Sequence, residues 1–245
     1  PLRCLAEFQA AAAAVADGRV GRVVLATAQK SYRFRVRPAW YADRASYGGT
    51  MLWVASHGID AIRFLTGKPF LRVSATQGNV SRAERGSMEE YCIATFDLAG
   101  GGAAVVHADY LRPNRLPTHS DDRIRIAGDR GIVEIRDNRC LLTDDDGTRE
   151  ITAPARRIDR ELLRALEGDA SLFSTADSLA LAEILLHARD AADHRKPVGL
   201  ALPAGAAEGE SSPAAVYDKR RLPKVSVDGS RRLVAGPVAP QNPVR

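Results

Sequence analysis

A histidine and a carboxylate stand three residues apart in the stretch YGGTMLWVASHGIDAIRFLTG, residues 47–67. An α-helix advances about 100° per residue, so His57 and Asp60 fall on the same side of any helix formed here. In that arrangement Asp60 accepts a hydrogen bond from one ring nitrogen of His57. The other nitrogen then faces a cleft, where it can carry a proton at neutral pH. The alternative is an ordinary hydrogen-bonded helix histidine between two aromatic residues.

The neighbouring residues predict this helix. Glycines 48 and 49 precede Thr50, a suitable N-cap, and Gly67 is a suitable C-terminal stop. One side carries an apolar stripe typical of a helix packed on a core, formed by Met51, Val54, Ala55, Ile59, Ile62 and Leu65. The opposite side carries Trp53, His57, Asp60 and Phe64, and we expect that side to border a cleft.

The totals describe a globular protein and exclude several classes. The chain has 245 residues and a net charge of +5. Seven Lys and Arg residues, against four Asp and Glu residues, lie between Pro203 and Arg245, and the basic residues elsewhere are mixed with acidic ones. The charge therefore does not indicate nucleic-acid binding. No apolar run is long enough to cross a membrane. Cys4, Cys92 and Cys140 lack a C-x-x-C spacing, which argues against disulfides or zinc and favours a reducing cytoplasm.

Residues 1–202 are predicted to fold as one α+β unit. Period-two segments predict strands at Val23–Tyr32, Phe70–Thr76, Glu90–Leu98, Ala103–Tyr110, Arg123–Ala127, Ile132–Arg136, Arg139–Thr143, Arg149–Thr152 and residues 199–202. Helices are predicted at Leu5–Ala16, Arg157–Leu166 and Ala176–Asp193, besides the helix already described. Glycine-containing turns join most strands, which favours antiparallel pairing. We expect a mostly antiparallel, open-faced sheet with helices on one face and the other face free for a partner.

Residues 203–245 lose this periodicity. Pro, Gly, Ser and charged residues dominate them, so a disordered tail is predicted. Two short strand-like pieces, Lys224–Val227 and Arg231–Val234, are left open as exceptions.

Four segments, in this order, resemble the second half of Gfo/Idh/MocA-type NAD(P)-dependent oxidoreductases. They are FQAAAAAVADGRVGRVV, GGTMLWVASHGIDAIRFLTG, HADYLRPNRLPTHSDDRIRIAGDRGIVEIRD and DSLALAEILLHARDAADHRKPVGL. The second is similar to the family segment G-G-G-x-L-x-D-x-G-x-H-x-I-D. The resemblance covers Leu5 to Leu202 and implies the family's C-terminal substrate and oligomerisation domain. Its α+β fold agrees with the pattern described above.

The resemblance implies a dehydrogenase chemistry. His57 would take the hydroxyl proton of a sugar, cyclitol or other polyol while hydride passes to NAD or NADP, and Asp60 would orient or charge-stabilise His57. The family's aspartate and glycine before the histidine align with Trp53 and Ala55, so the usual relay is incomplete. The N-terminal Rossmann domain, with its G-x-G-x-x-G and E-K-P motifs, is not found. Glycines 100–102 lead into a strand, so we expect no cofactor binding by this chain alone.

Loop residues are the other candidates for substrate binding. Arg37, Trp40 and Tyr41 precede the helix in RPAWYADR, where the family places residues near cofactor and substrate, and Trp53 lies on the proposed cleft face. A second group follows a predicted strand and comprises Tyr110, Arg112 and His119. The alternative for both groups is a loop packed on the helix or exposed to solvent.

Two functions are therefore compared. The first is the substrate domain of a sugar or polyol oxidoreductase, which pairs with a Rossmann domain and forms a homo-oligomer through the open sheet face. The second is a non-catalytic module that uses the same face for association after loss of the nucleotide domain.

Overall fold

The structure is a computed structural model that describes residues 1–168, 172–202 and, for the backbone, 226–232. The helices are α1 (Ala6–Ala16), α2 (Arg44–Tyr47), α3 (Ser56–Thr66), α4 (Ile158–Leu166) and α5 (Thr175–His194). The strands are β1 (Val23–Tyr32), β2 (Phe70–Gly78), β3 (Tyr91–Leu98), β4 (Ala103–Asp109), β5 (Ser120–Gly128), β6 (Ile132–Arg136), β7 (Arg139–Asp144), β8 (Gly147–Thr152), β9 (Val198–Gly199) and β10 (Ser226–Arg232).

The strands form one sheet, with the order β10-β8-β7-β6-β5-β1-β4-β3-β2-β9 over the described parts of the chain. Strands β1 and β4 run parallel, with Ala28 opposite Val106, and the other described neighbours are antiparallel. The predicted α+β class and mostly antiparallel sheet are confirmed.

Helices cover one face of this sheet because alternate strand residues are apolar. In β1 the inward positions are Ala26, Ala28 and Lys30, whereas Thr27 and Gln29 face the other side. Helix α1 packs on β6, β7 and β8, α3 packs on β1, β4 and β5, and α5 packs on β2. Small inward side chains let α3 lie close to the sheet, since a Cβ on Gly58 would stand 2.8 Å from Val106.

The segment before α3 differs from the predicted continuous helix. Residues Met51–Ala55 form a π-helical turn, and α3 begins only at Ser56. Thr50 stands at the predicted N-cap position, before the π turn, but makes no side-chain capping bond, because its hydroxyl donates to the Glu89 carbonyl oxygen, 2.6 Å away. The predicted stop at Gly67 is confirmed, with a left-handed φ of 62°. The extra residue in the π turn changes which side of the helix Trp53 occupies relative to the later residues.

The C-terminal segment contributes one strand. β10 lies within the predicted disordered tail and pairs with β8, with Val227 opposite Ile151, so that prediction does not hold for residues 226–232. It overlaps both strand-like pieces that the sequence left open. Residues 203–225 and 233–245 lie outside the described residues. The predicted strand at 199–202 is the shorter β9, paired with β2.

The three cysteines, Cys4, Cys92 and Cys140, are buried and free. Within residues 1–168 and 172–202, no helix combines the length and apolar character that a bilayer crossing requires.

Candidate functional site

Four aromatic rings form a surface beside the N-terminal end of α3, which we call the aromatic shelf. It consists of Trp40, Tyr41, Tyr47 and Trp53. Trp53 stacks on Tyr47 with ring centres 5.9 Å apart, and Trp40 lies 4.3 Å from Tyr41 and 5.9 Å from Trp53. The two tryptophans are 42% and 47% exposed, whereas the tyrosines are buried. The shelf therefore offers apolar ring faces to a ligand while its other side is fixed in the core.

Local hydrogen bonds hold the shelf in place. The Trp53 indole nitrogen donates to the Tyr47 carbonyl oxygen at 2.5 Å. Asp43 caps α2 by accepting from the backbone nitrogens of Ala45 and Ser46. The glycines 48 and 49 have φ angles of 83° and 115°, which the turn from α2 into the π turn requires. The sequence analysis missed Tyr47 as part of the site, although it stands next to this glycine pair.

Arg37 and Tyr110 extend the shelf towards β4. The Arg37 guanidinium lies 5.1 Å from the Tyr41 ring centre and 5.5 Å from that of Tyr110. The hydroxyl groups of Tyr110 and Tyr47 are 3.0 Å apart. The structure therefore brings together the predicted substrate residues Arg37, Trp40, Tyr41, Trp53 and Tyr110.

His57 lies on the first turn of α3, partly buried, above the inward-facing Lys30 of β1. Burial lowers its pKa below 6.5, the Lys30 ammonium lowers it further, and Asp122 opposes both effects. The His57 ring has no hydrogen-bond partner among the described residues. A neutral, unpaired imidazole of this kind is free to accept a proton from a ligand.

Lys30 and Asp122 were missed by the sequence analysis. Lys30 is 1% exposed and forms an ion pair with Asp122. Burial lowers the pKa of Lys30 and the Asp122 carboxylate raises it. The alternation of β1 could have indicated an inward Lys30, because Ala28 and Ala26 stand two and four positions before it. Asp122 had been left in a loop, since β5 begins at Ser120 and not at Arg123.

His119 and Tyr32 complete this polar group. The His119 ring centre is 4.9 Å from that of Tyr32, and the Lys30 ammonium is 5.4 Å from the Tyr32 ring centre. Burial raises the pKa of Tyr32 to about 12. Burial and then Arg37 lower the pKa of His119, whereas Asp122 raises it. His119 thus belongs to the site, close to the same carboxylate that influences His57.

Asp60 does not hydrogen-bond to His57. Its carboxylate accepts from two nitrogens of Arg3, and Arg3 also binds Asp177 and donates to the Leu172 carbonyl oxygen at 2.8 Å. The expected His57–Asp60 pair is therefore corrected, because a buried guanidinium competes for the carboxylate. The helix face predicted to border a cleft is only partly open. Trp53 is exposed, but Phe64 is buried, with the Arg3 guanidinium 5.6 Å from its ring centre.

The side chain of Arg112 does not contact the aromatic shelf. It donates to Thr118 and lies 3.6 Å from the Asp121 carboxylate, within the loop that joins β4 to β5. Arg112 therefore stands beside the predicted substrate group and not within it.

The glycine-rich turn does not fit a dinucleotide. Glycines 100–102 connect β3 to β4, and Gly102 lies against β1, where an added Cβ would meet the Val24 carbonyl oxygen at 2.4 Å. The Lys68 ammonium donates to the carbonyl oxygens of Ala99 and Gly101, so the turn presents acceptors to a cation. A pyrophosphate requires backbone N–H groups at a helix start. Within the described parts of the chain, no three His, Cys, Asp or Glu side chains are arranged to hold a metal.

Comparison with known proteins gives the family. The profile of the GFO/IDH/MocA C-terminal domain matches residues 8–134, more than half of the chain. A search of curated proteins finds no match. A Thermotoga maritima protein described as an oxidoreductase is 39% identical, with a TM-score of 0.78 over 81% of this chain and 62% of that one.

Two sugar-related enzymes share the fold at lower identity. Aldose-aldose oxidoreductase from Caulobacter crescentus, complexed with glycerol, is 20% identical, with a TM-score of 0.68 over 81% of this chain and 62% of that one. Levoglucosan dehydrogenase, in complex with NADH and levoglucosan, is 17% identical, with a TM-score of 0.66 over 80% of this chain and 64% of that one. The chain thus spans about three fifths of the length of these proteins. It belongs to the GFO/IDH/MocA C-terminal domain family of oxidoreductases.

Proposed function

We propose that this chain is the substrate-binding part of an NAD(P)-dependent oxidoreductase that acts on a secondary alcohol of a sugar or polyol, with His57 as the proton acceptor. The observation that carries the proposal is the position of His57. Its imidazole is unpaired within the described residues, burial and Lys30 lower its pKa, and it follows the shelf residue Trp53 by four positions in the chain. The family and the sugar-related enzymes that share the fold support the substrate class.

His57 carries the proton, and the Lys30–Asp122 ion pair adjusts the pKa of its imidazole. The neutral imidazole takes the proton of the substrate hydroxyl as the carbonyl forms, and the hydride lost from the same carbon would be accepted by the NAD(P) that a cofactor domain supplies. The resulting imidazolium is next to Lys30, which disfavours it, and Asp122, which favours it. The charge of Asp122 therefore stabilises the protonated form of His57, whereas the charge of Lys30 favours release of that proton to solvent. Lys30 and Asp122 are positioning residues in this scheme, because they act through His57.

The aromatic shelf binds the sugar ring. Trp40 and Trp53 offer apolar faces for the C–H groups of a pyranose or polyol, and Arg37 supplies donors for hydroxyl oxygens. The cofactor does not fit the described residues, since the glycine turn lacks a phosphate cradle. A separate Rossmann domain has to hold NAD or NADP, and NAD(P)H titrated into this chain alone is expected to give no saturable signal.

Intrinsic fluorescence tests the binding part of the proposal directly. The chain contains two tryptophans, and both lie on the shelf. Titration with glycerol, L-sorbose or levoglucosan should change the emission with saturation, and Arg37→Gln should weaken that response. Arg72→Gln is the matched control, because Arg72 lies on β2 and pairs with Asp97 of β3, and neither residue belongs to the shelf. A flat response to all three ligands would contradict the sugar assignment.

Turnover tests the proton step. In a protein that joins this chain to a matching cofactor domain, His57→Ala should lower kcat by roughly 10²- to 10⁴-fold while sugar binding persists. Unchanged turnover in a folded His57→Ala variant would support the non-catalytic alternative.

A further inference from the structure

A pocket lies next to the aromatic shelf, and its lining includes Tyr110, whose hydroxyl contacts that of the shelf residue Tyr47. Its volume is about 220 Å³, and it forms where the β2–β3 loop meets the β4–β5 loop. Arg82 and Arg85 from the first loop and Arg112 from the second line it, together with Phe34. We call it the arginine pocket. Three arginines thus line the pocket, and the guanidinium of Arg85 lies over the Phe34 ring.

Arg85 is the group with unused binding capacity. Its guanidinium carbon stands 3.9 Å from the Phe34 ring centre, and its Nη1 atom is buried without an acceptor among the described residues. No carboxylate in the described parts of the chain lies within 4.0 Å of its nitrogens. Burial and then the charge of Arg82 lower the pKa of Arg85. An unpaired buried guanidinium nitrogen is costly, so a ligand oxygen there would be strongly stabilising.

The carboxylates near the pocket are already engaged. Glu90 accepts from the backbone nitrogens of Val80 and Ser81 and from the Ser81 hydroxyl. Asp121 accepts two bonds of 3.0 Å from Arg123 and also lies 3.6 Å from Arg112, so two arginines share this carboxylate. Glu84 is exposed and stands 3.8 Å from Arg82. The arginine pocket therefore keeps an excess of positive charge, which suits an oxoanion.

Tyr110 connects this pocket with the shelf. Its ring lies 5.5 Å from Arg37 and 5.5 Å from Phe34, so one side chain contacts residues of both sites. We propose that the arginine pocket binds the phosphate or carboxylate of an acidic sugar or polyol whose ring lies on the aromatic shelf. This inference rests on the proposed function. It narrows the substrate class from sugars and polyols in general to those that carry an anionic group.

Calorimetry with a hexose, its 6-phosphate and its uronic acid tests the proposal on the intact chain. The two anionic sugars should bind at least tenfold more tightly than the hexose. Arg85→Gln should remove that difference, and Arg82→Gln, at a side chain that is 53% exposed, should reduce it several-fold. Arg72→Gln, which removes an arginine outside the pocket, should leave it unchanged. Inorganic phosphate should compete with the hexose 6-phosphate and not with the hexose.

The outcomes separate the two proposals. If the hexose binds and its phosphate binds no more tightly, or if the difference persists in both Arg85→Gln and Arg82→Gln, the arginine pocket is not the anion site and the proposed function stands. If the anionic sugars bind through Arg85 but inorganic phosphate does not compete, the contact is not with the anionic group, and the inference fails. If no sugar binds at all, the proposed function fails as well.

Discussion

The Lys30 ammonium and the Asp122 carboxylate form an ion pair in the space between the sheet and α3. Lys30 is almost fully buried, so it makes its charge felt by His57 with little screening from water. Asp122 acts in the opposite direction on the same imidazole. Burial has the largest effect on the pKa of His57 and the two charges adjust it, so removal of either charge should shift that pKa in a defined direction.

Replacing Lys30 by methionine should raise the pKa of His57. The substitution removes a positive charge and leaves Asp122 unpaired, and both changes favour the imidazolium. NMR titration of the His57 ring protons measures the shift. Lys68→Met is the matched control, because Lys68 is also buried but binds the carbonyl oxygens at the β3–β4 turn. A His57 titration that does not move in Lys30→Met would show that burial alone lowers its pKa.

His57 should also make the stability pH-dependent. Its folded pKa is lowered, so the unfolded chain, with a pKa near 6.5, binds this proton more readily than the folded protein. The free energy of unfolding should therefore fall as the pH drops below about 6.5 and level off below the folded pKa. His57→Gln lacks this contribution and should lose less stability over the same interval, as measured by urea unfolding at several pH values. His194→Gln, at an exposed position, should follow the unsubstituted protein.

Asp60→Asn should act on stability more than on the site. Asp60 holds the buried Arg3, so its neutralisation should lower the free energy of unfolding by roughly 1 to 3 kcal/mol. Asp97→Asn, in an exposed pair with Arg72, should cost less than about 1 kcal/mol. Chemical denaturation measures both. A large change in His57 titration with unchanged stability would instead restore the orienting role that the sequence suggested.

Trp53→Asp, which introduces the carboxylate usual at this position of the family, should weaken sugar binding by about tenfold. The substitution removes a shelf ring and the indole hydrogen bond to Tyr47, a loss of about 1.4 kcal/mol. Trp53→Phe keeps a ring and should cost less. Calorimetry is the appropriate measurement, since the fluorescence signal changes with the tryptophan. Tighter binding in Trp53→Asp would mean that the tryptophan is not part of the sugar surface.

The open face of the sheet is expected to join two copies of the chain. It presents Ile93, 38% exposed, together with opposite charges such as Arg125 and Glu134, which can pair across a two-fold contact. Ile93→Glu should therefore yield folded monomers in light scattering. Leu166→Glu, at an exposed residue of α4, is the control and should leave the mass unchanged. A native chain that is monomeric at high concentration would contradict the expectation.

The sheet was predictable because most strands carry their own alternation and several turns carry glycine, as between β3 and β4. Trp40, Tyr41 and His57 were predictable from neighbouring residues in the sequence, and Tyr110 and His119 because they follow a predicted strand. The Arg3–Asp60 pair spans 57 positions, and local spacing gives no information about such a contact. The π turn was missed because a helical wheel assumes a constant rotation per residue, which residues 51–55 do not follow.

The π turn also determines how this part of the chain would respond to the loss or gain of one residue. A π-helical turn equals an α-helical turn with one inserted residue, so deletion of Leu52 would let α3 extend backwards in α geometry. Only the side chains within residues 51–55 would change direction, because one helical turn is completed in either geometry and the segments before and after it keep their relative orientation. Loss or gain of a single codon here would therefore change the direction of Trp53 and its neighbours, with His57 unmoved.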